Sequence, residues 1–332
     1  MKQILNYLYD HKTLSRKEAQ EILTNIAQGK YNNSQIASFI SVFMMRSITV
    51  EELAGFRDAL LGHCVPVDLT EFNTIDLCGT GGDGKDTFNI STLSTFVVAG
   101  TGIKVAKHGN YAVSSSCGSS NVMEYLGYKF TNNADRLKNE IDKSGVCFFH
   151  APLFNSAMKN VAPVRKELGV KTFFNMLGPM VNPSFPKNQL VGVYSLELAR
   201  LYNYLYQQSD KKFVIIHSLD GYDEVSLTAD FKFITNTSEV IISPEMMKLP
   251  YCKPEELYGG KTIEESVKIF TSVLEGTSTK AQTNAVLANS ALGIKCMYPE
   301  KSLEESVSLA RESIESKKAF HVFKKLIEIN SY

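Results

Sequence analysis

A glycine cluster with an acid set inside it constrains this chain more than any other feature. Gly79, Gly81, Gly82 and Gly84 fall within six positions around Asp83, between a β-prone run at residues 74–77 and a helix start near Ser91 and Thr92. One glycine suffices for a turn with positive φ, whereas four indicate that the backbone approaches a ligand. A strand, a nest of N–H groups and a helix N-terminus in succession suit an anion, phosphate above all.

Two nucleotide-binding templates are nearly met, and both fail. Gly79, Gly81 and Gly84 satisfy GxGxxG, but Asp83 would face a pyrophosphate unshielded, and no acid between Asp86 and Glu124 is available to hold a ribose. Gly79, Gly84 and Lys85 resemble GxxxxGK, yet Asp86 stands where a hydroxyl would be needed for magnesium. An acid beside phosphates makes sense when a divalent cation stands between them. Asp223 and Glu224 supply two further carboxylates, in a loop after the apolar run 213–216 and the turn-rich 218–221. With no His pair or Cys cluster, such oxygen ligands favour magnesium over zinc.

The rest of the chain divides in two. At 332 residues and 44% hydrophobic it exceeds what one core usually absorbs, so two domains are expected. Over residues 1–65 apolar residues recur at helical spacing, with capping boxes at Ser15 with Glu18 and Thr49 with Glu52, and a further helix starting after Asn33 or Ser34. The stripes Ala19, Leu23, Ile26, Ala27; Ile36, Phe39, Ile40, Phe43; and Leu53, Phe56, Leu60 belong to short helices that must pack together. Any surplus apolar face needs another domain or a second subunit, and a helical dimerisation platform is one expectation. Pro66 opens a hinge at 66–73, and residues 74–332 then alternate helix and strand signals. A helix is expected at about 91–99 and strands at 103–106, 147–149, 191–194 and 213–216; the last two are near-continuous apolar runs of the kind buried in sheets. Late helices begin at Thr262 and Ser302, with Val307, Ala310 and Ile314 on one face. The fold class is therefore α/β: a small N-terminal all-helical domain hinged to a larger α/β domain with a mostly parallel central sheet.

Thirty-five Lys and Arg balance 35 Asp and Glu, so no global field recruits nucleic acid or an anionic membrane. No stretch approaches the roughly 20 apolar residues of a membrane span. Six cysteines without a CxxC pair fit reduced thiols and a cytoplasmic location.

The ordered blocks Gly79-Thr-Gly-Gly-Asp83, Thr87-Phe-Asn-Ile-Ser-Thr92, Val105-Ala-Lys-His-Gly-Asn110, Ala162-Pro-Val-Arg165, Phe174-Asn-Met-Leu-Gly-Pro179, Asn182-Pro183 and Asp220-Gly-Tyr-Asp-Glu224 resemble the anthranilate phosphoribosyltransferases. That family belongs to the class that also holds pyrimidine nucleoside phosphorylases. The resemblance spans essentially the whole chain. It implies a helical domain that forms a homodimer contact, a larger α/β domain, and phosphoribosyl pyrophosphate and anthranilate bound in the cleft between them. A segment near 165–185 is a candidate to pack on the helical domain.

By the same resemblance, Gly79, Thr80, Gly82, Asp83, Thr87, Asn89, Ser91, Thr92 and Lys107 contact phosphoribosyl pyrophosphate. Ser91, Asp223 and Glu224, with Asp83 as a further candidate, surround one or two magnesium ions. His108, Asn110, Pro152, Arg165 and Gly178 line the anthranilate side, Arg165 facing its carboxylate, and Ser119 is a further substrate-binding residue. An aromatic amine carries a lone pair at neutral pH, so His108 and Arg165 are positioning candidates and no obligate acid or base is assigned. Association with an anthranilate synthase is left open.

Departures from the family pattern are Tyr111 for Arg, Asn155-Ser156 for His-Pro, Lys171 for Arg and Ser47-Ile48 for Gly-Glu. Ser114, Ser115 and Ser116 would add donors, while His63, His150 and His321 join no constellation and Cys117 has no His and Asp beside it. Two alternatives remain. A nucleoside phosphorylase would not need the three acids, and a nucleic-acid-binding protein of this fold would need a basic surface.

Overall fold

The computed structural model describes residues 1–112 and 117–331, so Ser114, Ser115 and Ser116 lie outside the described residues. The chain forms two compact units, Met1–Pro66 with Ala151–Pro183, and Val67–His150 with Ser184–Tyr332.

The first unit opens with helices α1 (Lys2–Tyr9), α2 (Arg16–Ala27), α3 (Asn33–Met45) and α4 (Val50–Gly62). Ser15 and Thr49 cap α2 and α4 in reciprocal boxes with Glu18 and Glu52. Asn32 caps α3, just ahead of the expected Asn33 or Ser34, because its Oδ1 accepts the Gln35 N–H at 3.0 Å while Gln35 returns a bond to the Asn32 N–H. The apolar stripes are buried as their spacing demands, except that Ala27, at the end of α2, is only half-buried. Gly55 lets α4 lie against α2, since a Cβ there would stand 2.2 Å from the Arg16 carbonyl.

The second unit begins with β1 (Ile75–Gly79), α5 (Ile90–Gly100), β2 (Val105–Gly109), α6 (Ser119–Tyr125), α7 (Ala134–Ser144) and β3 (Val146–His150). Three short helices of the first unit follow, α8 (Ala151–Phe154), α9 (Ala162–Leu168) and α10 (Phe174–Leu177). Their inclusion has a visible cause: Phe173 stacks on Phe56 at 4.6 Å and meets Phe39 and Phe43 edge-on, completing an aromatic core. The first unit thus takes 151–183, more than the stretch near 165–185, and 67–73 belongs to the second unit, where Val67 and Leu69 are buried.

The second unit resumes with β4 (Asn188–Gly192), α11 (Leu196–Gln207), β5 (Lys212–Ser218), β6 (Phe231–Thr235), β7 (Glu239–Ile242), α12 (Ile263–Leu274), α13 (Lys280–Met297), α14 (Leu303–Glu315) and α15 (Lys318–Asn330). Its sheet runs β3-β2-β1-β4-β5-β6-β7. The first five strands are parallel, and β6 and β7 close the edge antiparallel. Helices α5 and α13 are apolar and buried nearly all round, as elements packed inside an α/β layer must be. A Cβ at Gly293 of α13 would come 2.7 Å from Leu77 of β1.

Strand β4 starts three residues before the apolar run at 191–194. Its polar residues Asn188 and Gln189 are buried yet satisfied: Asn188 Nδ2 donates to Asn73 and Thr74, and Gln189 bonds Asp76 and Tyr206. Strand β2 likewise reaches Gly109 beyond the expected 103–106, carrying Lys107 and His108 within it. All six cysteines are free thiols. Among the described residues no helix is long and apolar enough to cross a membrane.

Candidate active site

In the sheet order β1 has β2 on one side and β4 on the other. Chain leaving neighbouring strands in opposite directions opens a crevice at their carboxyl ends, the usual ligand position in open α/β sheets. The glycine turn leaves β1 at that point. Gly81, Gly82 and Gly84 have φ of 66°, 77° and 75°, a left-handed backbone that side chains resist. The Thr80 N–H donates to the Gly192 carbonyl at 2.9 Å, and the Lys85 N–H to Asp83 Oδ1 at 3.0 Å. At its far end the turn is tied by a bridge between Thr87 and Tyr258. Asn89 donates to the Cys117 carbonyl at 3.0 Å and stands as N-cap of α5.

The loop after β5 brings Asp223 and Glu224 onto this turn. Asp223 Oδ2 accepts the Gly81 N–H at 2.6 Å, and Glu224 Oε1 accepts the Ser91 N–H at 2.8 Å. Glu224 thereby caps α5, where the helix dipole favours a negative charge. Two N–H groups expected to face phosphate therefore hold carboxylates in this structure. Asn289 of α13 pins the next residue by accepting the Val225 N–H and donating to its carbonyl, at 3.0 and 2.9 Å.

Electrostatics follow from the crowding. Burial, then the charges of Glu224 and Asp83, push the Asp223 carboxyl well above the ordinary carboxylate range. Burial likewise raises Glu224, against the Ser91 bond and the Lys107 charge that favour its ionised form. Lys107 is 2% exposed, and its Nζ donates to the Leu77 carbonyl at 2.6 Å, with Ser91 Oγ at 3.5 Å. Burial lowers its pKa, while Asp76 and Glu224 act to raise it.

Among the described residues no three His, Cys, Asp or Glu side chains form a ready-made metal cage. The donor set still fits magnesium, which takes one or two carboxylates and fills its shell with water and substrate phosphates. Two adjacent buried carboxylates with a third acid close by are the set that a divalent cation would relieve of repulsion.

The other expected residues divide by unit. On β2 the His108 N–H donates to buried Asp76 at 3.1 Å, and the Asn110 carbonyl accepts from the Ser120 N–H and Ser119 Oγ. A Cβ at Gly109 would meet Ser119 Oγ at 2.4 Å, so a side chain there would require that hydroxyl to turn away. Thr92 and Ser91 open α5, Thr92 buried. The second unit thus gathers Gly79 to Thr92, Lys107, Asp223 and Glu224 at one strand end and His108, Asn110 and Ser119 at the next. Pro152, Arg165 and Gly178 belong to the first unit, on α8, α9 and the turn after α10. There Arg165 donates to Asn175 Oδ1 at 3.3 Å and lies over the Phe174 ring at 5.4 Å.

Three residues were missed from sequence. His150 does join a constellation: its ring stacks on Phe130 at 4.7 Å, meets Tyr111 edge-on at 4.6 Å and shares a hydrogen bond with Ser120 Oγ at 2.9 Å. Asn289 could have been noticed as an amide within the apolar run 285–294. Asp76, buried beneath Cys78 and His108, had no such signal.

Comparison with known proteins decides the family. Residues 2–64 match the helical bundle domain of a glycosyl transferase family, and residues 71–320 match its a/b domain. The chain is 59% identical over 330 residues to the anthranilate phosphoribosyltransferase of Flavobacterium johnsoniae, covering 99% of this chain and all of the relative. It is 58% identical over 333 residues to that of Christiangramia forsetii, covering 99% of each. This chain belongs to the anthranilate phosphoribosyltransferases. Among solved members of the family, the Thermus thermophilus enzyme superposes with a TM-score of 0.92 at 30% identity over 99% of both chains. The Saccharomyces cerevisiae enzyme, in complex with PRPP and Mg, superposes with a TM-score of 0.89 at 28% identity over 96% of this chain and 94% of the other. As an anthranilate phosphoribosyltransferase, the chain combines the helical bundle and α/β domain of the family with the glycine turn described above.

Proposed function

We propose that this chain transfers the 5-phosphoribosyl group from phosphoribosyl pyrophosphate to the amine of anthranilate, releasing pyrophosphate, with magnesium bound at its acid pair. The observation that carries the reading is the seating of Asp223 and Glu224 on the N–H groups of Gly81 and Ser91, which ties an acid pair to a phosphate-type turn. Full-length similarity to anthranilate phosphoribosyltransferases supports the choice of acceptor. A nucleoside phosphorylase would leave the acid pair without a purpose.

In this reading Gly79, Thr80, Gly82, Thr87, Asn89, Thr92 and Lys107 hold the phosphates and ribose. Asp223, Glu224 and Ser91 Oγ, with Asp83, would hold one or two magnesium ions. The metal, when bound, supplies positive charge that favours departure of pyrophosphate. Among the described residues, Thr80 Oγ1 and Asn89 Oδ1 are buried with no hydrogen-bond partner, which suits groups waiting for a ligand. Arg165 offers its planar fork to the anthranilate carboxylate. Ser119 adds a donor for substrate, and His108, Asn110, Pro152 and Gly178 orient the acceptor, whose amine attacks C1 with its own lone pair. Position, rather than deprotonation, is what the protein provides.

The decisive assay offers the purified protein phosphoribosyl pyrophosphate and magnesium, with anthranilate, other aromatic amines and a pyrimidine side by side. Phosphoribosylated anthranilate is the expected product; a pyrimidine product would overturn the reading. Asp223→Asn combined with Glu224→Gln is expected to lower turnover and to weaken the magnesium dependence. A wild-type magnesium response in that variant would remove the pair from the mechanism.

We further infer a homodimer formed through the helical unit. Helices α1 and α3 expose Tyr9, Met44 and, at 87%, Met45, beside a groove of about 450 Å³ lined in part by Leu8 and Val42. Such a surface suits a second copy of the chain. Sedimentation equilibrium should give twice the chain mass. The free thiols suit a reducing cytoplasm.

A further inference from the structure

We propose that Asn175 is a positioning residue for the acceptor, holding the Arg165 guanidinium ready without neutralising it. This rests on the assignment of Arg165 to the anthranilate carboxylate.

The chain of support begins in the aromatic core of the first unit. Phe173 stacks on Phe56, and Phe174 stacks on Phe173 at 4.3 Å with an interplanar angle of 25°. Phe174 then presents its face to the Arg165 guanidinium at 5.4 Å. Asn175, next on the same turn, accepts the Thr172 N–H at 3.1 Å and Arg165 Nη2 at 3.3 Å through one oxygen. The guanidinium is thus fixed by a ring below and an amide at its edge, both rooted in the buried core. Burial lowers the Arg165 pKa, with no carboxylate among the described residues to offset it.

The chemistry of the partner matters. A carboxylate at position 175 would also accept both N–H groups, but it would pair with the guanidinium and satisfy its charge. The neutral amide orients the fork and leaves its charge for an anionic ligand. An arginine held by a neutral acceptor is preorganised for a carboxylate, and preorganisation lowers the cost of binding.

Steady-state kinetics test this with Asn175→Asp, Arg165→Lys and the double variant. Asn175→Asp keeps both accepted hydrogen bonds, so a merely structural role predicts wild-type behaviour. The proposal predicts a KM for anthranilate raised about tenfold, with kcat and the KM for phosphoribosyl pyrophosphate within about twofold and an unchanged thermal melt. In the double variant the KM should be no higher than in Arg165→Lys alone, because Asn175 acts through that side chain. A wild-type anthranilate KM in Asn175→Asp, or multiplying effects in the double variant, overturns the proposal while leaving Arg165 its role. An unchanged anthranilate KM in Arg165→Lys overturns the Arg165 assignment itself.

Discussion

At Gly192, where the Asp223 backbone lies against the end of β4, there is no room for a methyl group. A Cβ there would stand 1.5 Å from the Asp223 carbonyl oxygen, and one at Gly79 would stand 2.3 Å from Asp223 Oδ2. The two clashes differ in kind. At Gly192 the obstacle is backbone, in a loop that Asn289 ties down two residues later at Val225, so relief requires the loop itself to shift. At Gly79 it is the end of a side chain that can swing. Gly192→Ala is therefore expected to lose about 3 kcal/mol of stability, near the upper end of overpacking costs, and Gly79→Ala less. Urea unfolding of both variants beside the wild type measures the difference, and a costlier Gly79→Ala would reverse this ranking. The glycine turn and the acid pair are legible in sequence because glycine clusters and adjacent acids are unusual where strands turn into helices. Their contact is not: Gly81 and Asp223 lie 142 positions apart, and nothing local to either names the other. Asn175 escaped for another reason, since its oxygen gains meaning only when α9 folds back toward α10.

Among the elements, the junction between α3 and α4 depends on one acid. Glu52 is fully buried, closes the capping box of α4, accepts the Leu14 N–H at 2.9 Å and accepts from both terminal guanidinium nitrogens of Arg46, Nη2 at 2.5 Å and Nη1 at 3.0 Å. Burial by itself would raise the pKa, but the Arg46, Leu14 and Thr49 bonds outweigh it, and the net shift is below the ordinary 4.5. The folded protein therefore binds this proton more weakly than the unfolded chain does. Its contribution to stability is complete above the ordinary value and is lost as pH falls through the lowered one. Glu52→Gln should cost about 3 kcal/mol at pH 7, in the range for breaking a buried ion pair. The gap to wild type should begin to narrow below about pH 4.5, where the unfolded chain takes up the proton, and close only as pH falls through the lowered value of the folded protein. Thermal melts across pH 7 to 3 test this, and a gap constant with pH would assign the cost to packing. Helix starts were largely legible, because a capping box is a local bargain between residues three apart. Strand β4 was displaced from its apolar run because Asn188 and Gln189 find buried partners on other elements, which no window of neighbours discloses.

For the whole molecule, each unit draws on two separate stretches of chain. The first 66 residues contain Phe39, Phe43 and Phe56 but not Phe173, the ring that stacks among them. Residues 1–66 made alone should show helix without a cooperative thermal transition by circular dichroism, since their apolar faces lack a cover. A sharp sigmoidal melt of that fragment would count against a shared core. The two-domain division was readable from the change of pattern near Pro66, whereas the return of 151–183 to the helical unit was not, because its short helices carry too few turns to display a face. The sheet order has a consequence for the making of the protein. The glycine turn emerges early in synthesis, but the acids that seat upon it follow β5, which is added outside β4. A ribosome must deliver both strands before the turn acquires its acids, so a nascent chain that ends short of Asp223 carries the glycine turn without the two carboxylates that seat on its N–H groups, and the geometry at this strand end is settled only once about two thirds of the chain has been made.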